Sequence, residues 1–434
     1  MSSFTSILRL APVRRCALLL VISTAVTLSA CGGGFHLFGI GAYQNDASHN
    51  PNMPGPNPGT IPDTWVDIHA FQVFDGRVTH HDAVHDAPRY DLVWGSTQPT
   101  AWKTGNPQIV TSFYAPFEGD FTPQHDLTWW QTNHPDWILY KCDKKTPAWP
   151  GGLKNVPLDI SNPATYRWQM QTYAPVMESG GYSGLAADLI ALGNFDGGCG
   201  VWVNSVWTPR FTGQNVDDTW TKAVLAWSRY TFNYLHDLPR PIVLGANHVP
   251  ESRPFGDPEE EDLLHHLDFI DDESSFTDYG NSYASNAKVG LIIQWMKYTQ
   301  AIGRPYIVDD KWNTTTTDQQ QLGWSIATYL LGKYHYSSVY VDHLPGYGYE
   351  YWFKEYTAPV GSPCGDAVAD PVNVGVYERK YTGAYVIVNT AVSKTFILTL
   401  PKPSYQSIFG QQVVSPLTMS PDTAAILLTT RGCH

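Results

Sequence analysis

From residue 63 onward, short runs of β-branched and aromatic residues alternate with longer stretches whose apolar positions recur at helical spacing. That alternation predicts a parallel sheet wrapped by helices. The expected strands are 65–70, 91–95, 108–114, 184–190, 241–246, 267–273, 305–310 and 337–342. Helical spacing is clearest at 221–235, 259–267, 287–302 and 319–331. Eight such strands predict a closed (β/α)8 TIM barrel over residues 63–362. The stretch between 95 and 108 is short for a full covering helix, and an extra strand is expected at 137–141.

After about residue 363 the pattern changes to short strands separated by turns, at 375–379, 384–388, 395–400, 407–409 and 424–428. This predicts a small antiparallel β-sandwich over 363–434. It holds no evident titratable cluster.

The N-terminus follows neither pattern. Residues 1–30 carry Arg9, Arg14 and Arg15, no acid, an apolar run over 16–28, and then Leu28-Ser29-Ala30-Cys31. The run is short for a bilayer span and ends in small residues, so a cleaved lipoprotein signal with Cys31 as the lipidation site is expected, an ordinary signal peptide being the alternative. Gly32 rather than Asp follows the cysteine, which points to the outer membrane, at its periplasmic face or the cell surface. Residues 31–62, rich in Pro, Asn and Gly, read as a flexible tether. Four cysteines remain beyond Cys16 and Cys31. In an exported chain they predict two disulfides, and of the three possible pairings Cys142 with Cys199 and Cys364 with Cys433 is favoured.

Charge narrows the partners. The net charge is -13 and falls further once the signal arginines are removed, so a nucleic-acid partner is excluded on electrostatic grounds. Only 15% of residues are charged while 13% are aromatic, with sixteen Trp. Such surfaces suit neutral polyols, whose C–H faces pack on rings, although most individual rings belong to the core. No H-E-x-x-H pattern, Walker loop, G-x-S-x-G elbow or dinucleotide fingerprint in its strand–helix context occurs, and the full EF-hand spacing is absent around Asp196-Gly197-Gly198. Neither a catalytic metal nor a cofactor is expected.

Reactive groups of a parallel barrel gather where its strands end. Asp188 ends the fourth strand and Glu273 the sixth, with Asp272 as a rival. Strands four and six are expected to face each other across part of the mouth, which makes Asp188 and Glu273 the pair that glycosidic cleavage requires: one carboxylate as nucleophile and one carboxylic acid as general acid/base. Either can instead be a structural strand-end carboxylate. Asp67, Asn247, Asp309 and Asp342 are candidate contacts to sugar hydroxyls, with helix capping the commoner fate of such acids. Trp94, Trp202 and Tyr347, together with Trp312 and Trp352, are candidates for an aromatic platform.

Three runs carry a resemblance: His134-Pro135-Asp136-Trp137-Ile138-Leu139, Leu158-Asp159-Ile160-Ser161-Asn162-Pro163, and Gly180-Gly181-Tyr182-Ser183-Gly184-Leu185-Ala186-Ala187-Asp188. Together they resemble the barrel glycoside hydrolases of hypothetical glycosyl hydrolase family fifteen and, more distantly, the polygalactosaminidase-type barrels. The resemblance implies hydrolysis of a polysaccharide or oligosaccharide, with Asp188 and an acid late in the sixth strand as its pair. Ser183 stands where the family carries Asp, so one supporting carboxylate is missing. A barrel that binds carbohydrate without cleaving it is the competing expectation.

Overall fold

The computed structural model describes residues 68–430 apart from 153, 335 and 336, together with 432 and 433. The expected signal, Cys31, the tether and Asp67 lie outside the described residues. Eight parallel strands follow the chain in order: β1 Gln72–Val73, β2 Leu92–Trp94, β3 Val110–Pro116, β4 Gly184–Asp188, β5 Val243–Asn247, β6 Phe269–Glu273, β7 Tyr306–Trp312 and β8 Ser337–His343. A parallel bridge between Ala70 and Val339 closes the ring. The fold is a TIM barrel. Its first strand pairs a few residues later than the apolar run at 65–70 suggests.

The helices are α1 His80–Asp86, α2 Pro99–Gly105, α3 Leu127–Asn133, α4 Pro163–Gly180, α5 Asp218–His236, α6 Pro258–His265, α7 Asn286–Ala301 and α8 Gln319–Gly332. Short polar side chains start most of them by accepting otherwise unpaired N–H groups: Asn162 before α4, Asp217 before α5, Asp257 before α6, and Asp318 with Gln321 as a capping box before α8. The helix α4 lacks a clean apolar stripe and carries Pro175 inside it, so its period is weak while its Asn162-Pro163 start is legible. The short α2 fits the short connection after β2.

The barrel interior is filled rather than hollow. Phe71, Val73, Leu92, Trp94, Val110, Ala186, Val243, Phe269, Ile307 and Tyr340 form its floor. A Cβ on Gly245 of β5 would fall 1.2 Å from the Phe269 ring of the neighbouring β6. That ring takes the volume the glycine leaves.

Past the barrel, strands β9 Val368–Ala369, β10 Val376–Lys380, β11 Ala384–Asn389, β13 Ser404–Ser407, β14 Gln412–Val414 and β16 Thr423–Leu428 form an antiparallel sheet in the order β9-β10-β11-β16-β13-β14. The antiparallel pair of β12 Phe396–Leu398 and β15 Leu417–Met419 covers it over Val376, Tyr385, Ile387 and Leu427. The expected strand at 407–409 begins earlier, and Phe409 instead packs at Gly323 of α8. Arg379 fixes the sheet to the barrel by donating to the Leu330 and Leu331 carbonyls at 2.9 Å, which satisfies the C-terminal end of α8. The disulfides are Cys142–Cys199 and Cys364–Cys433, the favoured pairing.

Candidate active site

Side chains of a barrel wall alternate between interior and helix layer. This phase places Asp188 of β4, Asn247 of β5, Asp271 and Glu273 of β6, Asp309 and Lys311 of β7, and Asp342 of β8 on the inside, above the apolar floor. Registers set them side by side: Asn247 beside Asp271, Glu273 beside Asp309, and Lys311 beside Asp342. Residues of the other parity face outward. Tyr306 donates to Asp272 at 2.5 Å and the Phe276 N–H to Asp310 at 2.8 Å, both beneath the helices. Asp272 is therefore no rival to Glu273 at the mouth. Nor do β4 and β6 face each other: β5 alone separates them, and their carboxylates meet around its end.

Hydrogen bonds orient the pair. Asp188 accepts from the Tyr114 hydroxyl at 3.1 Å and from the Leu189 N–H at 2.8 Å. Glu273 accepts from Asn247 Nδ2 at 3.1 Å and from the Tyr347 hydroxyl at 3.2 Å. Tyr347 also donates to Asp309 at 2.7 Å, and Lys311 Nζ lies 5.0 Å from the centre of the Tyr347 ring. Asp188 is 1% exposed, whereas Glu273 and Lys311 are partly open to solvent.

Five carboxyl groups share this space with one lysine, so they cannot all ionise. Burial, and then the charge of Glu273, push Asp188 well above the usual carboxylate range. Burial raises Glu273 too, opposed by Asn247, Lys311 and Tyr347. Asp271, Asp309 and Asp342 are held well above the ordinary value, chiefly by burial. Neither carboxylate oxygen of Asp342 has a hydrogen-bond partner.

Backbone strain marks the same two positions. Leu189, directly after Asp188, has φ +62°, and Ser274, directly after Glu273, has φ +65°. A left-handed residue other than glycine costs about 1–2 kcal/mol. In both places the chain turns sharply as it leaves the sheet.

Several residues here escape sequence reasoning. Tyr114 and Asp271 acquire their place only from strand phase, whereas Lys311 pairs with the neighbouring acids as its position in the sequence suggests. Glu118, just past β3, is buried and hydrogen-bonded to Asp196, and burial followed by that neighbour raises it well above its usual range. A carboxyl–carboxyl hydrogen bond requires a shared proton. Asp196 also accepts from the Gly151 N–H at 3.1 Å. Among the described residues no group of three or more His, Cys, Asp and Glu is arranged to hold a metal ion.

Other expected contacts divide. Asn247, Asp309, Asp342 and Tyr347 join the cluster, with the Asn247 amide nitrogen engaged by Glu273. Trp94 is a correction: it is 0% exposed in the floor, edge-on to Phe269, and cannot stack on a ligand. Trp312 is buried against Tyr283, and Trp352 packs edge-on to Tyr90 and Tyr356. Trp202 is half-buried in a lobe built from the β3–α4 and β4–α5 connections, where strands Tyr140–Lys141, Gly198–Val203 and Val206–Pro209 pair and Cys142–Cys199 joins the two connections. It lies 5.5 Å from Trp207 in a cross-strand pair, with Trp129, Trp137, Trp149 and Trp168 partly exposed in the same lobe.

No protein-family model matches the chain, and no curated protein matches it in sequence. Solved structures share its general course. An alpha-amylase from Lactobacillus plantarum is 10% identical, with 83% of this chain and 98% of that one covered at a TM-score of 0.47. An Anoxybacillus alpha-amylase is 11% identical over 84% and 98% at 0.44. A family 36 alpha-galactosidase from Geobacillus stearothermophilus is 10% identical over 86% and 57% at 0.43.

Proposed function

We propose that this chain is a glycoside hydrolase acting on a polysaccharide or oligosaccharide. The observation that carries the reading is the pairing of Asp188 and Glu273, two inward carboxyl groups flanking the end of β5, electrically coupled, and each followed by a strained left-handed residue. Asp188 attacks the anomeric carbon as a carboxylate. Glu273, the more accessible of the two, gives its proton to the departing oxygen and then takes one from water. Asp309, Asp342 and Tyr347 receive hydroxyls of the sugar between them, the two unpartnered oxygens of Asp342 being acceptors for a neighbouring pair of hydroxyls. Trp202 and its lobe extend the contact along a polymer. An anchor at Cys31 in the outer membrane brings the barrel to a substrate too large to enter the cell, and metabolic palmitate labelling lost in Cys31→Ser tests that anchor.

The chemistry is tested on a polysaccharide panel with mass-spectrometric product detection. Asp188→Asn and Glu273→Gln should each remove at least about 1,000-fold of the activity while keeping the wild-type circular dichroism. Full activity in both variants overturns the assignment. Binding of a glycan by the wild type with no product at any pH makes the barrel a carbohydrate-binding protein instead.

A further inference from the structure

His248 touches neither carboxylate of the pair, yet it ties together the strand ends that carry them. Its backbone N–H donates to the Asp271 carbonyl of β6 at 2.8 Å. Its ring Nδ1 lies 2.8 Å from the Ile190 carbonyl, two residues beyond Asp188, and its Nε2 lies 2.6 Å from Glu260 of α6. A carbonyl can only accept, so Nδ1 carries a proton. Glu260 is fully buried, and His248 is 2% exposed.

The Ile190 carbonyl matters because of what precedes it. Leu189 is held at φ +62°, and in that conformation its N–H points at Asp188 Oδ1. A leucine does not stay left-handed unaided. The Ile190 peptide is gripped on both sides, its N–H by the Asn247 carbonyl at 3.1 Å and its carbonyl by His248. Asn247, the residue before His248, donates to Glu273. One dipeptide at the end of β5, Asn247-His248, thus serves both carboxyl groups.

We propose that His248 is a positioning residue for Asp188, holding the Leu189–Ile190 turn so that the Leu189 N–H stays on the Asp188 carboxylate. The proposal rests on Asp188 being the working carboxylate. Groups facing His248 are Glu260 from α6 and Glu251 from the connection after β5, with Lys288 of α7 paired to Glu251. Those facing Asp188 are Tyr114, Glu273, Glu118 and Asp271.

The test is carbon NMR titration of the whole chain labelled with [4-13C]aspartate, the Asp188 signal being the one lost in Asp188→Asn. His248→Ala removes the grip on Ile190 and should raise the Asp188 titration by about one pH unit, since a hydrogen bond to the ionised form is lost. His248→Gln, whose amide reaches toward Glu260 but not Ile190, should do the same and serves if the alanine variant does not fold. His248→Asn, which places a donor at the Nδ1 position, should restore the titration to within about 0.3 unit of wild type. Folded alanine and glutamine variants that titrate like wild type overturn the proposal, as does an asparagine variant shifted as far as alanine. A merely structural histidine would lower the melting temperature in all three and leave Asp188 alone. The titration needs no substrate, so its outcome is independent of the hydrolysis assay.

Discussion

The hydroxyl of Tyr347 lies 3.2 Å from Glu273 Oε1 while donating to Asp309 at 2.7 Å. A phenol has one proton, so both contacts are satisfied only when one of the two acids holds a proton of its own. The hydroxyl can serve either acid, and donating to the ionised form it lowers the titration of Glu273 and of Asp309 against the burial that raises both.

Tyr347→Phe tests this link. Tyr347 holds the Glu273 titration down against burial, so its removal should move the alkaline limb of the pH–rate profile upward by about 0.5–1 unit and lower kcat about tenfold. A lowered kcat with an unmoved alkaline limb would assign Tyr347 to substrate contact alone.

Asp342→Asn should stabilise the fold. Its titration is raised by burial above the unfolded value of about 4, so its contribution to stability is fully present below that pH and lost as pH rises through the folded value. At pH 8 the variant should gain about 1–2 kcal/mol, and at pH 3.5 nothing. Thermal melts at the two pH values check it, and an equal change at both would mean the carboxyl charge is not the source.

Lys311→Met has the opposite sign. The lysine lowers the titrations of Asp342, Asp309 and Glu273, so its loss should cost about 1–3 kcal/mol at pH 8, fading toward pH 3.5 where the acids are protonated in folded and unfolded chains alike. Chemical denaturation at pH 8 that leaves the midpoint unchanged would remove Lys311 from the balance of the cluster.

Removing the Cys142–Cys199 link by Cys142→Ser with Cys199→Ser frees a loop closed over 57 residues of sequence, about 4 kcal/mol in a chain-entropy model. The Trp-bearing connections should then be cut by trypsin at Lys144, Lys145 or Arg210 before the barrel is. KM for polymeric substrate should rise about tenfold with kcat for short substrates unchanged. Loss of both together would show that the lobe supports the barrel rather than the ligand.

Much of the architecture is legible along the chain because burial on both faces of a strand leaves a local mark. The runs at 184–190 and 305–310 became β4 and β7, and caps such as Asp217 and Asp257 sit where helices start. The helix α4 was harder to see, since its buried face mixes Tyr, Gln and Met with Pro175. Trp94 was misread because a residue at a strand end belongs to the floor or the mouth according to how far the strand slides in the barrel, and sequence holds no measure of that slide.

The sequence by itself determined that Asp188 and Glu273 end strands of a parallel barrel, that four cysteines remain for two disulfides, and that few charges accompany many aromatic rings. Tertiary structure alone decided which of Asp272 and Glu273 points inward, because one residue of register turns every side chain of a strand to the opposite face. It also decided that Asp271, Asp309, Lys311 and Asp342 share one buried space, and that His248 grips Ile190. Those relations join strands far apart in sequence. Register across a barrel is fixed by packing between elements, which no local pattern records.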